Sequence, residues 1–202
     1  MEYFTLGKLL PIFTFIFIAS ITPGPNNLML AASGMNFGLR RTVPHIGGIF
    51  IGFNILVLMA AMGLNQLLLS LPGMQLSLRI LASVYLLYLA WKIFGINIDG
   101  NTADNNTPIS LLQAGAFQFT NPKAWMMSTS AMALAIPLFD SPLRAFVFLV
   151  LTFALVGTTC NCVWVLGGVN LKRLLADDKF RRAINVSLAM LTVLTIGLFW
   201  MN

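Results

Sequence analysis

The chain has few charged residues: they make up 9% of its 202 positions, and Asp and Glu together number only 6. A soluble globular domain is about a quarter charged, so this scarcity argues against that class and indicates a membrane protein. Hydrophobic residues fill 58% of the chain, which agrees with a lipid environment. The formal net charge of +6 does not indicate nucleic-acid binding, because the basic residues lie almost wholly in short connections between apolar runs.

Cysteine and histidine are almost absent, with two cysteines and one histidine. Cys160 and Cys162 are separated by about 200 degrees around a helix, so they do not share a face. A Cys-X-X-Cys redox pair is absent. We interpret the two cysteines as packing residues and expect neither a metal site nor a cofactor. A cleaved secretory leader is not expected, since the first apolar run exceeds the usual ~7 to 15 residues.

Six apolar runs are long enough to cross a bilayer, for which about 17 to 25 helical residues are needed. The runs are continuous and do not alternate with the period of two that a membrane barrel requires, so they predict helices. They cover approximately residues 9–35, 43–70, 76–95, 111–136, 143–168 and 184–201. The predicted fold is an all-α membrane protein with six transmembrane helices in one integral membrane domain, residues 1–202.

Lysine and arginine are unevenly divided between the connections. The predicted topology places three on one side and eight on the other, namely Arg40, Arg41, Lys92, Lys172, Arg173, Lys179, Arg181 and Arg182. Positive loops stay in the cytoplasm, so both termini should be periplasmic or extracellular. The polar segment 96–108 then joins the halves 1–95 and 109–202 as a flexible cytoplasmic linker, an interpretation we prefer to a regulatory site.

The first and fourth apolar runs each contain helix-breaking residues, TPGPNN at 22–27 and TNPK at 120–123. Each half has three spans, an odd number, so any similarity between the halves must be inverted in the membrane. Interrupted helices in corresponding spans of inverted repeats point to a binding site at the repeat interface. The sequence therefore predicts two inverted three-helix repeats with helices one and four broken.

The proline chemistry explains why such a break faces inward. Pro23 and Pro25 leave the carbonyls of residues 19–21 without helical partners, which is tolerated only where protein, water or a ligand meets them. Pro25 suits the first turn of a new half-helix, and Asn26 or Asn27 is able to cap its N–H groups. A half-helix N-terminus is partly positive and suits a carboxylate. We expect the two half-helix N-termini to point toward each other.

Lys123 is predicted halfway through a span, at a cost of about 2.5 to 3.5 kcal/mol on insertion scales. No Asp or Glu lies near the centre of a predicted span, so we expect its counter-anion to be the substrate. The alternative is that Lys123 donates to backbone carbonyls of the neighbouring break. The candidate substrate-binding residues are Thr22, Pro23, Gly24, Pro25, Asn26, Asn27, Gln118, Asn121, Pro122, Lys123 and Asn161, the last as an acceptor for an ammonium.

Other polar and small residues in the spans have two predicted roles. His45, near the cytoplasmic end of span two, and Lys123 are the candidates for a coupling proton, because a histidine or a buried lysine can titrate near neutral pH. Asn54 should hydrogen-bond across helices. Small residues should let helix backbones approach closely, and their faces make a homodimer conceivable; they are Gly34, Gly38, Gly47, Gly48 and Gly52.

The paired motifs resemble those of the lysine exporter (LysE/RhtB) superfamily of bacterial amino-acid efflux carriers. The resemblance rests on TPGPNN, on FQFTNPKAW at 117–125, and on Gly38, Arg40 and Gly48. The Asn26-Asn27 pair, YLLYLAWKI at 85–93 and CNCVW at 160–164 are most similar to exporters of cysteine and O-acetylserine.

The resemblance implies a secondary active exporter of the bacterial inner membrane, driven by the proton gradient. Its cargo would be a small neutral amino acid or derivative, cysteine-like or O-acetylserine-like, or else homoserine, threonine or leucine. Two alternatives stay open: a membrane thiol oxidoreductase that uses Cys160 and Cys162, and a passive channel with the same topology. We expect no enzyme, because catalysis needs an activated nucleophile with a base, or a dithiol pair in reach, and the sequence lacks both.

Overall fold

The computed structural model describes residues 6–64, 70–71, 73–94, 107–174 and 178–201. Within these ranges the secondary structure is helical and no β-strand occurs, so the all-α prediction is confirmed for them. The helices are α1 (Leu6–Ile21), α2 (Pro25–Ala61), α3 (Met74–Phe94), α4 (Leu111–Thr120), α5 (Pro122–Ala135), α6 (Pro142–Thr152), α7 (Thr158–Leu174) and α8 (Asp178–Met201). The predicted linker 96–108 lies outside the described residues except for Thr107 and Pro108.

Both predicted helix breaks are present. The first break, residues 22–24, separates the end of α1 from the start of α2 at Pro25. The second break is the single residue Asn121, between α4 and the start of α5 at Pro122. In each break a proline takes the first position of the new helix, where its missing N–H removes no helical hydrogen bond.

Helix α2 bends at Gly38, which has φ 76° and ψ 172°. We call residues 25–37 the N-arm and residues 39–61 the C-arm. The connection predicted between the first two spans is therefore a one-residue kink, and Gly38 is needed for its positive φ, which L side chains rarely adopt. The hydroxyls of Ser33 and Thr42 bridge the kink at 2.9 Å, and Thr42 Oγ1 donates to the Gly38 carbonyl at 2.8 Å.

The second predicted span, 43–70, is not one continuous helix, because α2 ends at Ala61; residues 65–69 in its last part lie outside the described residues. Gly63 stops the helix there: it has φ 74°, and its N–H donates to the Ala60 carbonyl. A second irregularity lies in the fifth predicted span. A π-helical turn at Phe153–Gly157 joins α6 to α7, so this run is continuous but has a wider turn with an extra residue at that point.

Two described helices are long and apolar enough to cross a membrane, Pro25–Ala61 and Pro142–Leu171. Shorter apolar helices cover Leu9–Ile21 and Arg182–Leu194. The first and fourth predicted spans are each divided by a break, so their helical pieces are shorter than a full crossing. Large apolar side chains are exposed on the exterior, among them Trp91 at 70% and Leu112 at 78%, as a lipid-facing surface would have. The six-span count and the inverted repeat stay predictions.

Glycines allow α2 to pack directly against its neighbours. A Cβ at these positions would overlap a backbone carbonyl of the facing helix; the pairs are Gly34 with Val165, Gly168 with Ala31, Gly48 with Leu111 and Gly52 with Gly115. The N-arm therefore lies against α7 and the C-arm against α4. This confirms the packing role predicted for Gly34, Gly48 and Gly52, whereas Gly47 makes an ordinary contact with the Leu111 side chain at 3.8 Å.

The buried side chains form two clusters. One contains apolar residues of both arms of α2 and of helices α3, α4, α7 and α8, including Leu30, Ile49, Leu86 and Val165. The other joins α1 and the C-arm to α5 and α6, including Ile16 and Leu149. Residues of both clusters line the cavity described next, so the cavity lies where the two packed regions meet.

Candidate functional site

The first break leaves backbone carbonyls free, and buried side chains of the protein meet them. Asn27 is 5% exposed, and its Nδ2 donates to the carbonyls of Ser20 at 2.8 Å and Thr22 at 2.7 Å. Trp164 Nε1, on α7, donates to the Ile21 carbonyl at 3.2 Å. The break therefore faces the protein interior, as predicted, and its carbonyls do not depend on a ligand for their hydrogen bonds.

The N-terminus of α2 has no side-chain cap. Gly24 occupies the N-cap position and offers no side-chain oxygen. The prediction that Asn26 or Asn27 caps this helix is wrong, because Asn27 reaches back to the break and Asn26 reaches across to α4. Asn26 Nδ2 donates to Gln118 Oε1 at 2.9 Å, and Gln118 Nε2 donates to Asn26 Oδ1 at 3.2 Å.

The second break is closed by its own cap. Asn121 is 2% exposed, and its side-chain Oδ1 accepts from the backbone N–H of Lys123 at 3.1 Å. This bond satisfies one of the free N–H groups in the first turn of α5. Of the two half-helix N-termini, the one at α2 is consequently the more available to an anion.

Lys123 connects the second break to the first. Its Nζ donates to the Thr22 carbonyl and to Thr22 Oγ1, both at 3.0 Å, and approaches the Pro23 carbonyl at 3.4 Å. These are the contacts of the alternative interpretation, in which the ammonium is held by backbone oxygens of the break. Within the described ranges the recorded salt bridge lies elsewhere, between exposed Arg144 and Asp140 at 2.6 Å. The expected substrate counter-anion stays a prediction.

The two breaks line one cavity, which we call the pocket. It encloses about 580 Å³ of empty space, part of which is open to the exterior. Its polar lining comes from both breaks and from α7: Ser20, Asn26, Asn27, Asn121, Lys123, Thr158 and Asn161. The rest of its lining is glycine, proline and apolar side chains. This arrangement can hold a small molecule that carries both a charged group and an apolar part.

The profile of the LysE type translocator family matches residues 17–201 of this sequence. The chain belongs to the LysE-type translocator family. It is therefore a transporter, a multi-pass protein of the bacterial inner membrane, and not an enzyme. The resemblance drawn from the sequence motifs is confirmed, and the thiol oxidoreductase alternative is set aside.

Curated relatives of this LysE-type translocator include two named cysteine/O-acetylserine efflux protein. The one from Escherichia coli (strain K12) is 30% identical over 182 residues, covering 89% of this chain and 91% of the relative. The one from Salmonella typhimurium (strain LT2) is 28% identical over 183 residues with the same coverage. No solved structure matches the sequence.

The structure brings most of the predicted site residues of the translocator together. Seven of them line the pocket: Gly24, Pro25, Asn26, Asn27, Asn121, Lys123 and Asn161. Thr22 and Pro23 are not lining residues but accept from Lys123, and Gln118 holds Asn26. Pro122 serves as the first residue of α5. His45 is fully buried on the C-arm and does not line the pocket, and its position near the cytoplasmic end of span two stays a prediction.

Other predicted residues have structural contacts. Asn54 Nδ2 donates to the Phe50 carbonyl of its own helix at 2.8 Å, so a hydrogen bond across helices is not what holds it. Cys160 is buried and Cys162 half-buried, and both are free thiols. Cys162 packs against the first core cluster, as the packing interpretation predicts.

The sequence reasoning missed the apolar wall of the pocket. The wall consists of Ile49, Phe50, Phe53, Met127 and Phe153. Three of these come from the C-arm, which carries no breaking motif, and Phe153 is placed by the π turn. The spacing of Ile49, Phe50 and Phe53 is typical of any buried helix, so no local signal distinguishes them from core residues.

Proposed function

We propose that this translocator is a secondary active exporter that carries a small neutral amino acid out of the cytoplasm. The observation that supports it most is the meeting of both helix breaks and Lys123 at the pocket. A neutral amino acid carries one carboxylate and one ammonium, and the pocket offers separate groups suited to each. The printed names of the curated relatives, cysteine/O-acetylserine efflux protein, support a cargo of this class.

The substrate carboxylate binds at the N-terminus of α2 and at the ammonium of Lys123. The first turn of α2 has no side-chain cap and opens on the pocket at Gly24 and Pro25. Its N–H groups and the helix dipole favour an anion. Lys123 then exchanges part of its bonding to Thr22 for a stronger charge-assisted bond to the carboxylate.

The substrate ammonium binds Asn161 on α7. We place it there rather than at the Ile21 carbonyl, because Trp164 already donates to that carbonyl. Asn161 lines the pocket and has no recorded side-chain hydrogen bond within the described ranges, so its Oδ1 is available to accept. Ser20, also a lining residue, supplies a second acceptor, its hydroxyl oxygen.

Export follows from alternating access between the two halves of the chain. In this conformation, bonds join the first half to the second at the pocket: Lys123 to Thr22, and Asn26 to Gln118. A carboxylate that competes for Lys123 weakens the first of these bonds, so substrate binding lowers the free energy needed for the halves to move. The predicted inverted repeat and the periplasmic termini belong to this proposal.

Proton coupling is assigned to one of two residues. Lys123 touches both the break and the proposed carboxylate position, so loss of its proton would release the substrate. His45 is buried in the C-arm and is the second candidate. Lys123→Arg separates them, because arginine stays protonated. If Lys123 carries the proton, this variant binds amino acid but no longer accumulates it under a proton gradient; unchanged coupling would assign the role to His45.

Uptake into inside-out vesicles tests the proposed function. Labelled cysteine, O-acetylserine, threonine, leucine and lysine are offered under a proton gradient to the wild type and Lys123→Ala. We expect uptake of a neutral amino acid that falls by about tenfold to a hundredfold in Lys123→Ala, the effect of losing a hydrogen bond to a charged group. Arg144→Ala, which removes an exposed positive charge that does not line the pocket, is the matched control and should transport normally.

Two results would contradict the proposal. Absence of uptake for every amino acid by correctly inserted protein would overturn the cargo. Uptake that only equilibrates the two sides, with no accumulation that an uncoupler collapses, would instead favour a passive channel.

A further inference from the structure

The apolar wall of the pocket is anchored in the core. Phe53 is 7% exposed and Phe153 is 4% exposed, and their rings pack edge to face with centroids 4.4 Å apart. Both belong to the cluster that joins the C-arm to α5 and α6. This part of the wall is therefore held by packing on several sides, while Phe50 and Met127 are half-buried and complete it from the C-arm and α5.

The polar side chains of the pocket are largely committed to the protein. Asn27 donates to the first break, and Asn26 is paired with Gln118. Asn121 caps α5 through its Oδ1. Most of the remaining polar groups of the pocket are those assigned above to the carboxylate and the ammonium of the substrate. A polar substrate side chain would lose its hydrogen bonds to water against the wall without an equivalent replacement.

Charged side chains are disfavoured for a separate reason. No Asp or Glu is among the described residues that line the pocket, so a second ammonium on the substrate would have no counter-charge there. Burying an unpaired charge is far more costly than burying a neutral polar group.

We propose that the pocket selects an amino acid with an apolar side chain, such as leucine or methionine, through the wall of Ile49, Phe50, Phe53, Met127 and Phe153. This inference rests on the proposed function and narrows its cargo. Methionine gains from contacts between its sulfur and the phenylalanine rings, and the thiol of cysteine behaves as a small apolar group. The ester of O-acetylserine and the hydroxyls of threonine and homoserine are disfavoured.

Met127 provides a near-isosteric test of the wall. Glutamine matches methionine in length but adds an amide that can hydrogen-bond a polar side chain. Leucine keeps the position apolar and serves as the matched control. Because Met127 is half-buried, both changes leave the buried cluster largely intact.

The experiment measures uptake of labelled leucine by full-length protein in inside-out vesicles, with competition by methionine, threonine, O-acetylserine and lysine. For the wild type and Met127→Leu we expect leucine and methionine to be preferred over threonine and O-acetylserine by at least about tenfold, the discrimination that one or two methylene-sized contacts supply. Met127→Gln should reduce this preference about threefold to tenfold by admitting the polar side chains.

The outcomes separate this inference from the proposed function. Equal transport of threonine and leucine by the wild type overturns the apolar selection and leaves amino-acid export in place. No transport of any amino acid overturns both. An unchanged preference in Met127→Gln overturns the role of this wall position. If Met127→Gln does not insert, Phe50→Leu is used instead: it enlarges the pocket and should admit phenylalanine, and failure to do so counts against the wall.

Discussion

The two helix breaks that meet at the pocket solve the same backbone problem in different ways. In the first break, three residues leave the helix, and side chains from elsewhere meet the free carbonyls: Asn27 those of Ser20 and Thr22, and Trp164 that of Ile21. In the second break, one residue leaves the helix, and Asn121 caps the next helix by itself. The first break thus depends on tertiary contacts, and the second is largely local.

The difference assigns different tasks to the two breaks. An N-terminus without a side-chain cap, as at Gly24, keeps N–H groups available to an anion, whereas at α5 the Asn121 side chain already accepts from the Lys123 N–H. The second break contributes instead the Lys123 side chain, which reaches the oxygens of the first. The first break therefore offers free N–H groups to the carboxylate, and the second break offers the positive charge of Lys123. Three variants break or sharpen this comparison, in order of decreasing effect.

Asn27→Ala should have the largest effect on stability. It leaves the Ser20 carbonyl without its recorded donor and removes one of two donors from the Thr22 carbonyl. We expect a loss of about 2 to 4 kcal/mol in the free energy of unfolding, one orphaned buried carbonyl plus one hydrogen bond. Denaturant unfolding in detergent measures it.

Asn161→Ala is the matched control, in the same pocket but without such bonds. It should lose transport while its free energy of unfolding stays near that of the wild type. Equal losses of stability in both variants would remove the distinction between structural and binding asparagines.

Gly24→Ser gives the first break the kind of cap that the second has. Gly24 has φ 179°, an extended backbone that serine adopts without strain. A serine hydroxyl that accepts from the first turn of α2 competes with the substrate, and its Cβ lies 3.2 Å from Lys123 Nζ, which must shift. Affinity for the amino acid should fall about tenfold.

The readout for Gly24→Ser is the KM for uptake, with Asn121→Ala alongside. Asn121→Ala removes the cap of α5 and should lower stability by about 0.5 to 2 kcal/mol. A Gly24→Ser variant with an unchanged KM would mean that the α2 N-terminus does not hold the carboxylate.

Trp164→Phe should have the smallest effect. It keeps an aromatic ring on α7 and deletes only the hydrogen bond to the Ile21 carbonyl, at 3.2 Å and partly exposed. We expect about 0.5 to 1.5 kcal/mol of destabilisation, with transport nearly unchanged. Thermal unfolding of the protein without substrate measures this destabilisation as a fall in Tm. A loss as large as that of Asn27→Ala would show that the first break is equally dependent on both donors.

Some features of the site were predictable because their signals are local. Proline lacks an N–H wherever it occurs, so the two breaks can be predicted from the sequence alone at Pro23, Pro25 and Pro122. Lys123 stands out because a charge in a long apolar run is costly in any fold. The close packing at Gly34, Gly48 and Gly52 was also foreseeable, since small residues repeat along one run.

Other features depend on partners that are distant in the chain. The partner of Asn26 is 92 residues away, and the carbonyl that Trp164 meets is 143 residues away. A capping role for Asn26 or Asn27 was a reasonable local prediction. Asn27 instead donates to freed carbonyls of the first break, and Asn26 pairs with the Gln118 side chain. Gly38 illustrates the same limit: its sequence context suits packing, and only the bend of α2 shows that it is there for its positive φ.

By itself, the sequence determined that this is a helical membrane transporter of the LysE type with two helix breaks and a charge beside one of them. Composition, proline chemistry and the paired motifs depend only on residue types and their spacing, so they can be recognised without a structure. Only the tertiary structure decided which carbonyls are satisfied, where the ammonium of Lys123 rests, and which apolar side chains face the pocket. Those properties depend on how distant helices pack, because a hydrogen bond or a cavity wall requires groups that the chain brings together only on folding.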